Sequence, residues 1–304
     1  MKVRLYLMTI KGYNVLKELV VSGFDNFISN VVIGTDRQIQ NDYSKDILDL
    51  CISRSITYSY HNDNISLSED CTYGIAISWR WIIRDSKINL IVFHDSILPK
   101  YRGFTPLVNM LINKEPIIGV TAFHANDSFD KGPIISSLSI TVNYPIRIID
   151  ALNHVSSLYG KLAVDIFGKI IYGDYIDSIP QIESEATYSV WRDDLDYFID
   201  WKESADYIHQ FVLSLSYPYK GAAAFERRYG FLRIHDCIPV PDLDFEIRDV
   251  GKVFCIENGD VVVICGVGLL KITDMRDDSD NKIKFDHFRL RFMDSYFSQM
   301  AFMK

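Results

Sequence analysis

The chain reads as an α/β protein: a Rossmann-like, mostly parallel sheet followed by a smaller β-rich C-terminal domain. Two patterns carry that reading. Over the first 170 or so residues, short apolar runs alternate with amphipathic helical stretches, as parallel strands joined by crossover helices require. After residue 230 the pattern becomes short alternating runs without a long helix, which suits a small barrel or sheet. A length of 304 residues fits one large or two ordinary domains. The first domain is expected over 1–180 and the second over 190–304, with the polar stretch Gly173 to Ser189 as linker.

Taken in order, Lys2 to Thr9 is the first strand, with Val3, Leu5 and Leu7 on one face. Ile10 to Tyr13 is read as a turn, and Val15, Leu16, Leu19 and Val20 as the inner face of a helix. Val31 to Gly34 is a second strand, Tyr43 to Ser53 a helix, and Tyr73 to Ser78 a strand that runs into Trp79-Arg80-Trp81. Asn89 to Phe93 is apolar enough for a buried parallel strand. Thr105-Pro106 opens a helix, since Thr caps free amides and Pro suits the first helical position. Ile117 to Phe123 is the next strand. Pro145 to Ile170 forms a long helix, with Ile148, Leu152, Val155, Tyr159, Leu162 and Ile166 at alternating spacings of four and three. Ser204 to Leu215 is a helix, and the runs 232–234, 252–256, 261–265 and 269–272 are strands.

Composition narrows the function. Hydrophobic residues make up 48% and charged residues 24%, as in a soluble globular protein. No apolar run approaches the ~18 residues of a membrane span, and the N-terminus lacks the pattern of a secretory signal. The five cysteines (51, 71, 237, 255, 265) show no close pair and no metal spacing, so reduced thiols and a cytoplasmic location are expected. The net charge of −8 argues against a polyanion such as nucleic acid and suits a smaller anionic substrate. No Gly-x-Gly-x-x-Gly follows the first strand, which disfavours a nicotinamide dinucleotide. No metal is required.

The chemistry concentrates between Ile88 and Ile135. His94 is the first polar side chain after one strand, and Asp130 sits in the loop after the next, 36 residues on. In an open α/β sheet that edge is where ligands bind. Alone, His94 reads more readily as a structural histidine and Asp130 as a solvated loop carboxylate. Together, an imidazole that titrates near neutral pH and a carboxylate that orients and charges it make an acid–base pair.

The run Val92-Phe93-His94-Asp95-Ser96-Ile97-Leu98-Pro99-Lys100-Tyr101-Arg102-Gly103, then Gly119-Val120-Thr121 and Asp130-Lys131-Gly132, resembles the 10-formyltetrahydrofolate-dependent formyltransferases. That family includes methionyl-tRNA and nucleotide-sugar enzymes. Ala186-Thr187-Tyr188, Ile199-Asp200-Trp201 and Tyr217-Pro218 extend the likeness. The resemblance implies N-formyl transfer from N10-formyltetrahydrofolate to a primary amine, with His94 and Asp130 catalytic. It places Trp79, Arg80, Trp81, Ile82, Arg102, Gly103 and Asp127 on the cofactor side, and Lys11, Gly12 and Tyr13 toward the acceptor, Lys11 meeting a pyrophosphate. The expected acceptor is a nucleotide-linked amino sugar of bacterial surface polysaccharide or lipopolysaccharide synthesis; a homodimer is allowed. Methionyl-tRNA formylation, or folate or nucleotide-sugar binding without catalysis, are the alternatives. One departure matters: the family's Asn, two residues before His94, is Val92 here. Another donor is then expected to meet the oxyanion, with His124 first, then Ser96 or a backbone N–H.

Overall fold

A computed structural model describes residues 1–36, 41–63, 71–83, 85 and 87–303. The chain divides into two compact units, one of residues 1–107, 116–142 and 151–190, the other of 108–115, 143–150 and 191–304. The segment expected as a linker differs from the expectation. It holds a 3-10 turn at Glu183–Glu185 and a short strand at Tyr188–Ser189, and up to Val190 it belongs to the first unit.

The first unit is built on a seven-stranded sheet of β1 (Lys2–Leu7), β2 (Ile28–Ile33), β3 (Tyr58–Tyr60), β4 (Cys71–Ile77), β5 (Asn89–His94), β7 (Ile117–His124) and β8 (Ile134–Thr141). Its order is β3-β2-β1-β4-β5-β7-β8. Strands β1 to β5 run parallel, whereas β7 and β8 are antiparallel additions. The chain leaves β1 for β2 on one side and reaches β4 on the other, so the order reverses beside β1 and opens a crevice at its C-terminal end.

The central strand β1 buries both faces. Val3, Leu5 and Leu7 are fully buried on one, while Tyr6 meets Val32 and Ala76 on the other. Helix α1 (Thr9–Val21) follows β1 directly, because Thr9 turns the chain in one residue with φ +62°. The turn expected over residues 10–13 is therefore its first helical turn. Helix α2 (Ser44–Ser53) buries Ile47 and Cys51. Helix α4 (Ile148–Tyr172) starts three residues after Pro145 and buries Val155, Tyr159, Leu162 and Ile166. Helix α3 (Pro106–Ile112) starts at Pro106, but Thr105 has φ +47° and gives its hydroxyl to the carbonyl of Val190 at 3.1 Å. A two-residue strand β6 (Arg102–Gly103) pairs with β9 (Tyr188–Ser189).

In the second unit, α5 (Ala205–Leu215) is capped by Ser204. Five antiparallel strands follow: β10 (Ala222–Glu226), β11 (Gly230–Val240), β12 (Val253–Glu257), β13 (Asp260–Ile264) and β14 (Leu269–Arg276). Their order is β10-β11-β14-β13-β12. Residues 291 and 292 bridge to Lys252 and Glu226, beside one edge of the sheet and on the other. These bridges satisfy backbone groups at the edges of a β-rich antiparallel sheet. Trp201 is buried and stacks on Phe292 with centroids 5.0 Å apart.

Candidate active site

Strand β5 ends at His94, which pairs across to Thr121 on β7 and is 8% exposed. Its Nε2 lies 2.7 Å from the carbonyl oxygen of Tyr101. A carbonyl only accepts, so Nε2 carries the hydrogen and Nδ1 is the nitrogen left to take a proton. Asp130 Oδ1 stands 3.8 Å from that Nδ1. The loop joining His94 to Tyr101 is held from within. Ser96 donates to the carbonyl of Lys100 at 2.6 Å, and Thr121 donates to that of Ser96 at 2.7 Å and accepts from the amide of Leu98 at 3.1 Å.

Asp130 is reached by a loop whose residues 125–129 are exposed. Its backbone is left-handed, with φ +55°. Its Oδ2 accepts from the amide of Gly103 at 2.8 Å. Gly132 ends the turn where only glycine fits, because a Cβ there would lie 1.6 Å from the carbonyl oxygen of His124. The structure brings His94, Gly103 and Asp130 together, with Gly103, expected on the cofactor side, giving its backbone amide to Asp130.

Other expected residues lie elsewhere. Lys11 is buried in α1 and pairs with Asp95 Oδ2, while Tyr159 of α4 donates to Asp95 Oδ1 at 2.6 Å. Lys11 is therefore not a free pyrophosphate ligand. Burial pushes the Asp95 carboxyl up, but Lys11 and Tyr159 outweigh it and hold it below the usual carboxylate range. Burial and the Asp95 charge drive the Tyr159 hydroxyl well above its ordinary value. Gly12 lets α1 approach β1, where a Cβ would meet Leu7 at 3.1 Å, and Tyr13 stacks on Tyr43. Arg102 is 1% exposed and its guanidinium binds Gln181, Glu183 and Tyr188, so it braces the fold and leaves no face for a cofactor.

Neither named replacement for the family's Asn is placed for that task. Ser96 is fully buried and its hydroxyl is given to Lys100. His124 pairs with Ile91, three positions down β5 from His94, because β7 runs antiparallel and carries its end away from the site. Burial also lowers its pKa. Val92 packs against the cluster of Tyr6, Val32 and Ala76, beside Trp79, Ile83 and Leu90.

That cluster borders a cavity of about 230 Å³ lined by Tyr6, Trp79, Trp81, His61 and Ile82, among others. His61 stacks on Trp81 with centroids 3.7 Å apart, and Trp79 meets both Tyr6 and Trp81 edge-on. The buried Nε1 of Trp79 has no hydrogen-bond partner among the described residues. Arg80 turns away to pair with Asp36, and Asp127 is exposed on its loop. Asp95 and Thr121 stand in the family-like run but were given no role there, and Tyr159 and Gln181 were given none either, since their partners are remote in the chain.

Comparison with known proteins adds to this geometry. A profile described as formyl transferase matches residues 73–152, and one described as formyl transferase, C-terminal domain, matches 193–291; together they cover more than half of the chain. A methionyl-tRNA formyltransferase of Heliobacterium modesticaldum is 25% identical over 189 residues, 60% of this chain and 59% of that protein. The bifunctional polymyxin resistance protein ArnA of Wigglesworthia glossinidia brevipalpis is 33% identical over 150 residues, 47% of this chain and 22% of that one. The chain thus spans less than two thirds of the length of these relatives. Among solved structures, an N-formyltransferase from Helicobacter canadensis in complex with folinic acid and dTDP-3-aminofucose superposes with a TM-score of 0.68 at 15% identity, covering 90% of this chain and 99% of that one.

Proposed function

The chain belongs to the formyl transferase family, and from that premise we propose that it moves a formyl group from N10-formyltetrahydrofolate to the primary amine of a nucleotide-linked amino sugar. The observation that carries this is His94 facing Asp130 at the C-terminal edge of β5. The amine nitrogen forms a bond to the formyl carbon, and the bond from that carbon to N10 breaks. His94 Nδ1 takes the proton the amine gives up and returns one to the departing N10. Asp130 lies where it stabilises the imidazolium in between. The bond from Nε2 to Tyr101 fixes the ring and its tautomer throughout.

A flat heteroaromatic ring fits the cavity beside Trp79, Trp81 and His61, where the unpartnered Trp79 Nε1 offers a donor. We assign the Trp79 to Ile82 loop to the cofactor side on that ground. With Lys11 tied to Asp95, the acceptor's phosphates are met by other groups. The net charge of −8 favours a small acceptor. The Helicobacter canadensis structure, whose partners are folinic acid and an amino-sugar nucleotide, supports the same reading. Among the described residues no helix is long and apolar enough to cross a membrane. We place the reaction in the cytoplasm, supplying surface polysaccharide or lipopolysaccharide synthesis.

The second reading, methionyl-tRNA formylation, draws on the name of the Heliobacterium modesticaldum relative. Incubating the protein with N10-formyltetrahydrofolate and either a panel of amino-sugar nucleotides or methionyl-tRNA separates the two. The expected outcome is a gain of one formyl group by a sugar, read by mass spectrometry. Formylated methionyl-tRNA with every sugar unchanged would overturn the assignment, and binding without turnover would favour a non-catalytic protein.

A further inference from the structure

The segment that follows α4 grips the loop that carries Asp130. Ile179 and Ile134 exchange both backbone hydrogen bonds at 2.8 Å. Two residues on, Gln181 Nε2 donates to the carbonyl of Asp130 at 2.8 Å and to that of Gly132 at 2.7 Å. One side-chain amide thus holds both ends of the Asp130-Lys131-Gly132 turn. The other end of Gln181 is anchored as well: Oε1 accepts from Arg102 Nε at 3.0 Å and from Nη2 at 2.9 Å. Arg102 also donates to Glu183 at 2.7 Å, and Lys131 donates to the same carboxylate at 2.8 Å. Bonds from Lys131 and Arg102 hold Glu183 down at about 2, so this anchor stays ionised at any working pH. The residue after Arg102 is Gly103, whose amide binds the Asp130 carboxylate. Backbone and side chain of Asp130 are therefore fixed by two arms of one network.

We propose that Gln181 is a positioning residue for formyl transfer. Its two amide donors hold Asp130 in its left-handed backbone conformation, and so set the distance from Asp130 to His94. Residues 125–129 are exposed, so the loop leading to Asp130 offers it little support of its own. This role rests on the formyl-transfer reading, but the grip itself does not.

Gln181→Glu separates the two ends of the side chain. It keeps an acceptor for Arg102 and replaces the amide donors with an oxygen that repels both carbonyls. Turnover per folded molecule is expected to fall by about 10–100-fold, on the scale of a displacement of about 1 Å, with the KM for the formyl donor little changed. In an Asp130→Asn background the same change should cost nothing further, because both act through one group. Amide exchange at Gly103 should quicken in Gln181→Glu by at least ~10-fold as its acceptor loosens. Unchanged turnover, or losses that multiply in the double variant, would overturn the positioning role. Unchanged exchange at Gly103 would overturn the grip. Faster exchange in a protein whose wild type transfers no formyl group would uphold the grip and refute the functional reading instead.

Discussion

At the scale of single residues, His94 and Asp130 were legible because their context is local: a motif of fixed spacing and two strand ends. Their division of labour was not, since it depends on which ring nitrogen the Tyr101 carbonyl engages. His94→Ala is expected to lower turnover by ~10²–10⁴-fold, the usual worth of a general acid–base group, with the circular dichroism spectrum unchanged. Asp130→Asn should lower turnover less and displace the pH–rate profile. Val92 makes the sharper case. It is half-buried among apolar neighbours and offers no donor, and neither Ser96 nor His124 stands in for the missing amide. Val92→Asn is expected to raise kcat by ~10-fold or more, part of the ~10²–10³ one oxyanion donor is worth, and to lower the melting temperature by placing an amide in that cluster. Stopped assays on matched folded protein check the first, calorimetry the second. A kcat that stays flat would mean a backbone N–H already serves the oxygen.

Among the elements, the strands and helices up to β5 were readable from periodicity except β3, which at three residues is too short to show one, and the direction of β7 was not readable at all. Alternation reports which face a side chain takes and says nothing of polarity, so His124 looked like a neighbour of His94 when the antiparallel strand carries it away. Strand β8 escaped because its serines blur the pattern. Contacts that tie elements together were equally invisible: Lys11 of α1, Asp95 after β5 and Tyr159 of α4 meet in one buried cluster. That cluster has a pH signature. The folded carboxyl of Asp95 is held below its unfolded value. The stability it contributes is therefore present above the unfolded carboxyl pKa of ~3.9 and is lost as pH falls through the lower folded value. Asp95→Asn should destabilise the protein at pH 7 by about 3–5 kcal/mol, as breaking a buried pair does. In denaturant titrations the gap to wild type should narrow below about pH 4. A constant gap would show that Asp95 is not ionised there.

For the whole molecule, the alternation of strand and helix patterns was enough to set the fold class, and the net charge was enough to weigh the acceptor. A chain of net charge −8 is expected to bind tRNA weakly at physiological salt. Filter binding with methionyl-tRNA at graded salt, beside the same measurement with an amino-sugar nucleotide, should show the sugar preferred. Rapid formylation of methionyl-tRNA under those conditions would reverse the assignment. What composition misjudged was the stretch from 173 to 189. Its Ser, Asp and Glu look solvated and detachable, yet its polar groups are spent on Asp130, Arg102 and Lys131. This bears on how such an enzyme could be recombined. The matched N-terminal profile ends at residue 152, within α4. A cassette cut there keeps His94 and Asp130 but forfeits the residues that hold Asp130 in register. A cassette that runs on through Val190 keeps Gln181 and Glu183 with Asp130, so a chimaera joined after that residue is expected to retain its turn where one joined within α4 loses it.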